Sequence, residues 1–248
     1  MKKKIKNHMW IYGKHALKAA LANPEREFDR VVVLESCRNF LDECERADKS
    51  IRFEVVSRDF FAATFGNETT HQGCAAYVKN LPEYSLEESV EDESDKRPLV
   101  FLDQVTDPQN IGSILRASAV FGARAVVVTE NGSPDLTPAM AKAASGALEN
   151  VPLIRVVNFV HSINFLKKHG FWCLGLDERS EKNLDEIQLN DKFIFVVGSE
   201  GEGMRRLTKE SCDFLVKLPE IGQFTTLNAA QAATVSLYES FRQRNKGV

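Results

Sequence analysis

Nowhere in the 248 residues is there an apolar run approaching the roughly 20 residues that span a bilayer. The basic start Met1-Lys2-Lys3-Lys4 leads into polar residues rather than an apolar signal core. No membrane partner is expected, and the cytoplasm is the expected location. Cysteine is scarce: five residues (Cys37, Cys44, Cys74, Cys173 and Cys212), an odd number without CxxC spacing. That pattern excludes a disulfide framework and a thiolate zinc site, leaving free and mostly buried thiols. His161 and His169 are too far apart for a metal pair at i, i+4, so no metal is expected. Also missing are G-x-G-x-x-G and G-K-[ST], which counts against a dinucleotide oxidoreductase and against a phosphate loop.

Positive charge is not in excess either, the formal net charge being -3. Its distribution is uneven: 14 basic against 11 acidic residues over 1–80, 2 against 7 over 81–97, and 16 against 17 over 98–248. One acidic stretch thus masks a mildly basic N-terminal region, and a nucleic-acid partner stays open, because affinity follows local clusters rather than bulk charge. Lys2, Lys3, Lys4 and Lys6 read as a solvated terminus or as a basic arm for RNA.

What is present is enough apolar residue, 43% of the chain, to bury a core in one large domain or in one medium and one small. Residues 81–97, bounded by Pro82 and Pro98, carry acidic and serine residues without apolar periodicity and read as a linker. Before it, a domain over 8–80 is expected, with a helix over 11–22 stopped by Pro24, strands over 30–34 and 51–56, and a helix over 40–47. After it, a domain over 98–248 is expected. Apolar strands recur there at 99–102, 125–128, 153–156, 171–176, 193–197 and 214–218, with helical patterns between most of them. Such alternation specifies an α/β fold with a mostly parallel sheet.

Three segments carry chemistry. In the first, Asp107 and Pro108 start a helix as N-cap and first residue, and Gly122 stops it. Asn110 falls in its first turn. Ile111, Ile114, Leu115, Ser118 and Phe121 form one stripe, with Arg116 nearly opposite, where an arginine is ordinarily a solvated surface residue. The second segment, Val197-Gly198-Ser199-Glu200-Gly201-Glu202-Gly203, follows a strand and precedes Met204-Arg205-Arg206-Leu207. Its glutamates would repel a pyrophosphate at a helix start. A tight strand-to-helix turn or a site for a cationic ligand are the readings left. The third segment is Leu218-Pro219-Glu220, continuing to Thr225-Thr226-Leu227-Asn228. Asn228 and Gln231 have capping-box spacing at the head of a helix over 229–241.

The string from Leu102 to Gly112 with Arg116, the Gly198 turn and the Leu227-Asn228 pair together resemble the three motifs of the SpoU branch of the trefoil-knotted RNA 2'-O-ribose methyltransferases. Within that branch the likeness is to the bacterial 23S ribosomal RNA guanosine-2'-O-methyltransferases. It runs from Ile11-Tyr12-Gly13-Lys14-His15-Ala16 through His71-Gln72-Gly73 to Tyr238-Glu239. The resemblance implies an N-terminal α/β domain that binds the RNA substrate and a C-terminal domain whose chain threads a trefoil knot. It implies S-adenosyl-L-methionine as cofactor, held by Gly198, Leu218, Ile221 and Leu227, and Asn110, Arg116, Glu200 and Asn228 as catalytic residues. Arg205 and Arg206 become RNA contacts or a solvated helix face, and the active species becomes a homodimer with its site near the interface. Two departures stand out. Thr226 replaces a usual serine before Leu-Asn and keeps the hydroxyl, whereas Ala229-Ala230 replace a Val-Ser pair and lose one.

The implied reaction moves a methyl group from the sulfonium to a ribose 2'-hydroxyl, which needs its proton removed or its developing alkoxide stabilised. A guanidinium is not readily deprotonated, so Arg116 is expected to clamp phosphate and alkoxide. Methylation of tRNA, and an RNA-binding assembly factor without activity, are the competing functions.

Overall fold

A computed structural model describes residues 7–48, 50–222 and 227–245. It divides into two compact units, one of residues through Pro82 together with Asp135–Asn150, the other of Glu83–Pro134 together with Val151 onward.

The first unit runs β1 (His8–Tyr12), α1 (Lys14–Ala22), β2 (Phe28–Val33), α2 (Arg38–Asp42), β3 (Phe53–Val55), α3 (Arg58–Phe65) and β4 (Cys74–Lys79). Its four-stranded sheet has the order β1-β4-β2-β3, antiparallel except for the β2/β3 pair. The helix expected over 11–22 starts later, because Ile11 and Tyr12 pair with Ala76 and Ala75 of β4. Gly13, at φ 97°, then turns the chain into α1 in a conformation that favours glycine. The helix expected over 40–47 is displaced to the short α2, preceded by a 3-10 turn at Glu35–Cys37. Strand β4, with the small buried residues Cys74, Ala75 and Ala76, has no alternation to announce it.

Residues 135–150 do not belong to the unit in which the sequence places them. They form α5 (Pro138–Ala144) and a 3-10 turn at Ala147–Glu149, and α5 packs on β1 and α1. Glu149 supplies the reason: its carboxylate takes Arg26 Nη2 at 2.7 Å and Nε at 3.1 Å, both side chains being almost wholly buried. Arg26 Nη1 in turn reaches the Lys79 carbonyl at 2.8 Å.

The second unit contains β5 (Leu99–Asp103), α4 (Pro108–Phe121), β6 (Ala125–Thr129), β7 (Leu153–Val156), α6 (Phe159–Lys168), β8 (Phe171–Leu176), β9 (Lys192–Gly198), α7 (Arg206–Glu210), β10 (Phe214–Val216) and α8 (Ala229–Arg244). Its six strands are all parallel in the order β10-β8-β9-β5-β6-β7. Residues of β5, β6 and β9 are buried on both faces, which is why they read as unbroken apolar runs. The acidic stretch expected as a linker is packed: Leu86 joins the core and Ser89 is buried. Arg124 donates to the carbonyls of Ser89 and Asp95 and ion-pairs with Asp95 at 3.0 Å. The passage from β10 to α8, on which the expected knot depends, includes residues 223–226 and lies partly outside the described residues.

From β5 the chain proceeds outward to β6 and β7, and it returns through β8 to β9 on the other side of β5. The carboxyl ends of β5 and β9 therefore flank the point where strand order reverses, where open parallel sheets hold their ligands.

Candidate active site

At that point Asp103 ends β5 in register with Gly198 at the end of β9. Beyond β5 the chain passes through Gln104, in the left-handed region at φ 61°, to Asp107. The Asp107 side chain accepts from the Gln109 amide at 2.9 Å, Pro108 occupies the first turn and Gly122, at φ 72°, closes α4, as its capping residues predict. Ile111, Ile114, Leu115 and Ser118 are buried, so the stripe faces inward and Asn110 stands at the helix start.

Beyond β9 the acidic turn closes on itself: the Ser199 and Gly203 backbones exchange hydrogen bonds of 3.1 and 3.0 Å, with Gly201 and Gly203 at positive φ. Gly198 lies under this turn. A Cβ there would sit 2.3 Å from the Gly203 carbonyl carbon and 2.4 Å from the Met204 nitrogen, so only glycine lets the two backbones meet. The turn carries Glu200, whose Oε1 accepts from Asn110 Nδ2 at 3.0 Å, and Glu202, whose Oε2 is 3.4 Å from Gln104 Nε2. Two side-chain hydrogen bonds thus join the loops that leave the two central strands.

A charged anchor lies beneath. Asp103 is fully buried and accepts from the Arg205 amide at 2.9 Å and Nε at 2.7 Å, with Nη2 at 2.6 Å. A buried carboxylate left without such partners would be costly, so Arg205 is first of all a structural counter-charge. Its guanidinium also lies 5.7 Å from the Phe159 ring. The sequence offered Arg205 as an RNA contact or a solvated helix residue and did not single out Asp103. The available signal was an aspartate closing an apolar strand. Arg206 stands on the surface, paired with Glu210 at 2.6 Å.

The remaining expected residues are dispersed. Asn228 caps α8 through a reciprocal box, Oδ1 accepting from the Gln231 amide at 2.8 Å and the Asn228 amide donating to Gln231 Oε1 at 3.2 Å. Arg116 is exposed on α4 and makes no ion pair or hydrogen bond among the described residues. Leu218 is half-buried, while Ile221 and Leu227, on either side of the undescribed stretch, are exposed. Thr225 and Thr226 lie outside the described residues. Among the described residues no cluster of His, Cys, Asp and Glu could hold a metal ion, and no helix is long and apolar enough to cross a membrane.

Comparison with known proteins gives this site its class. The model of the SpoU rRNA methylase family matches residues 97–238. A second model, for RNA 2'-O ribose methyltransferase substrate binding, matches residues 10–84. The chain belongs to the SpoU family and is a methyltransferase. It is 37% identical to a Yersinia pestis protein named as 23S rRNA (guanosine-2'-O-)-methyltransferase RlmB, covering 94% of this chain and 97% of that one. An uncharacterised tRNA/rRNA methyltransferase of Synechocystis is 34% identical over 94% of this chain, which spans 62% of that relative's length. In three dimensions the chain is similar to the SpoU methyltransferase AviRb of Streptomyces viridochromogenes, solved with AdoMet. The TM-score is 0.80, with 22% identity over 98% of this chain and 92% of that one, a likeness of fold.

Proposed function

We propose that the protein transfers methyl from S-adenosyl-L-methionine to the 2'-hydroxyl of a guanosine ribose in 23S ribosomal RNA, acting as a cytoplasmic homodimer. The observation that carries this reading is the Asn110–Glu200 hydrogen bond across the strand-order reversal, with Gly198 packed beneath the same turn. The local chemistry suits the cofactor. Glu200 and Glu202 favour a cationic ligand over a phosphate, and the exposed Ile221 and Leu227 offer apolar surface for a nucleoside. Gly198, Leu218, Ile221 and Leu227 would hold it, and it supplies an electrophilic methyl group. Glu200 orients the Asn110 amide, Asn228 presents its remaining amide donor at the head of α8, and Arg116 clamps the phosphate and emerging alkoxide. Arg206 can exchange Glu210 for an RNA phosphate, since an exposed i, i+4 pair contributes little.

The test is transfer of labelled methyl to unmodified large-subunit ribosomal RNA and to tRNA side by side, with the modified nucleoside identified. 2'-O-methylguanosine in the ribosomal RNA is the expected product; label in tRNA alone would replace the substrate, and the mixed tRNA/rRNA naming of the relatives makes that arm necessary. Arg116→Ala is expected to bind cofactor normally and to lose about 100-fold or more in transfer, the scale of deleting one preorganised donor. Near-wild-type turnover would remove Arg116 from the mechanism.

The dimer draws support from α4 and α8, which pack together and leave apolar side chains outward. Val120 is 65% exposed, Val235 41%, Tyr238 49% and Phe241 41%, with Tyr238 and Phe241 both against Phe121 at centroid distances of 5.7 and 6.1 Å. Arg116 is one turn from Val120 on the outward face of α4. Pairing through this face would bring Arg116 to the boundary of a second subunit. Val235→Glu with Phe241→Glu is expected to convert the sedimenting species from dimer to monomer, and an unchanged sedimentation coefficient would reject this interface.

A further inference from the structure

Three stretches of the first unit that the catalytic reading does not use meet at one end of its sheet. They are the turn from β1 into α1, the turn that precedes β4, and α5. Gln72 stands at their junction in the left-handed region, at φ 58°, and its Oε1 accepts from the Lys14 amide at 2.9 Å. A Cβ on Gly13 would lie 3.1 Å from that Oε1 and 3.8 Å from Lys142 Cγ, so the lysine of α5 lies against the same turn.

Four donors are left free at this junction. With Oε1 engaged, Gln72 keeps its amide NH2 for an outside acceptor. His71 Nδ1 accepts from the Gly73 amide at 3.0 Å, which leaves the ring proton on Nε2. Burial and the neighbouring Lys142 hold this imidazole below its usual range, so it stays neutral. Lys14 Nζ stands over the Phe40 ring at 5.5 Å and Lys142 Nζ over the Tyr12 ring at 5.9 Å, with no ion pair to either lysine among the described residues. The cluster is open. Lys14 and Gln72 are exposed, and Lys142 Nζ and His71 Nε2, on half-buried residues, are not buried unsatisfied atoms and so reach water.

Such a cluster is unfavourable by itself. Lys14 and Lys18 are like charges four residues apart on α1, whose first turn carries no acid. At the other end of the sheet the cations are matched instead, Lys79 by Glu27 at 2.8 Å and His8 by Asp29 at 3.2 Å. We propose that Lys14, Lys142, Gln72 and His71 form a site for the sugar-phosphate backbone of the RNA substrate, each lysine neutralising a phosphate while the amide and imidazole donate to phosphate or ribose oxygens. The inference rests on the RNA-methylating reading and assigns part of its substrate contact to particular side chains. A set of donors suits phosphate oxygens, so the site positions RNA rather than selecting its sequence. The excursion of residues 135–150 thereby supplies one of the two charges.

The experiment measures binding of the full chain to transcribed large-subunit ribosomal RNA and to tRNA by filter retention, from about 50 to about 200 mM salt. Lys14→Gln/Lys142→Gln removes two phosphate contacts and should lower the slope of log affinity against log salt by about 1.4–1.8. Over that range wild-type affinity should fall about ten-fold further than the variant's. Lys14→Arg/Lys142→Arg should keep the wild-type slope, and so should Lys79→Gln, whose charge Glu27 already holds. Gln72→Glu keeps an oxygen for the Lys14 amide but turns the free donor into an acceptor. It should weaken binding about ten-fold or more without lowering the melting temperature. A wild-type slope in Lys14→Gln/Lys142→Gln, or wild-type affinity in Gln72→Glu, overturns the site. An equal loss of slope in Lys79→Gln overturns it too, since the effect is then one of bulk charge, as does failure of wild type to bind either RNA. Calorimetric saturation by inorganic phosphate alone, abolished in Lys14→Gln/Lys142→Gln, would make free phosphate the occupant and overturn the RNA assignment. Methyl transfer is scored separately: a chain that binds RNA through these residues but transfers no methyl keeps the site and loses the proposed reaction.

Discussion

Gly198→Ala should bind S-adenosyl-L-methionine at least ten-fold more weakly and lose about 100-fold in methyl transfer, the penalty that a displacement near 1 Å can impose on a reacting geometry. The reason is steric. The added methyl would meet backbone atoms of Gly203 and Met204 at 2.3 and 2.4 Å, and a backbone cannot rotate away as a side chain can. Relief requires lifting the turn from β9, which breaks the Ser199/Gly203 pairing and carries Glu200 away from Asn110. The overpacking should also cost about 1–3 kcal/mol of stability. Calorimetric titration of the cofactor with a thermal melt separates the two effects. Unaltered affinity would mean that the turn can shift without consequence and that Gly198 is not part of the binding wall.

Glu149→Ala should destabilise the first unit by about 3–5 kcal/mol, the range for removing one partner of a buried ion pair. The side chains of Arg26 and Glu149 are 4% and 6% exposed, and the variant strands a guanidinium that keeps only the Lys79 carbonyl and loses both carboxylate oxygens. High salt should not reproduce the loss, because buried pairs are screened far less than surface ones. Denaturant unfolding followed by circular dichroism gives the figure directly. A loss below 1 kcal/mol would show that water reaches the arginine. The double variant Arg26→Met/Glu149→Leu should recover much of the stability, since apolar replacement of a buried pair is often neutral or better.

The sequence made the second unit legible where one physical signal dominated. Its central strands β5, β6 and β9 are buried on both faces, so they appear as apolar runs, and α4 is bounded by Asp107, Pro108 and Gly122, each with a local stereochemical reason. The approach of Asn110 to Glu200 was not legible in this way: ninety residues separate them, and no local preference encodes their meeting. Only the joint likeness of three motifs put them in one list. The last two residues of β1 read as helix because Ile11 and Tyr12 flow into an alanine-rich stretch, and the break rests on the single residue Gly13. The anchoring of Arg205 was hidden for a related reason. Its neighbour Arg206 is a surface residue of the same chemistry, and what distinguishes the two is a buried aspartate 102 residues earlier.

The excursion of residues 135–150 into the first unit bears on how this chain can be cut. Covalent continuity crosses between the units after Pro82, after Pro134 and after Asn150, so a single nick in the acidic stretch cannot release either one whole. A fragment ending before Pro98 would lack α5 and Glu149, leaving Arg26 with a desolvated charge and exposing the α5-facing side of β1 and α1. Neither the N-terminal piece nor the remainder is then a natural module. Shuffling of this substrate-binding element onto another enzyme would have to carry a second, distant piece of chain along with it.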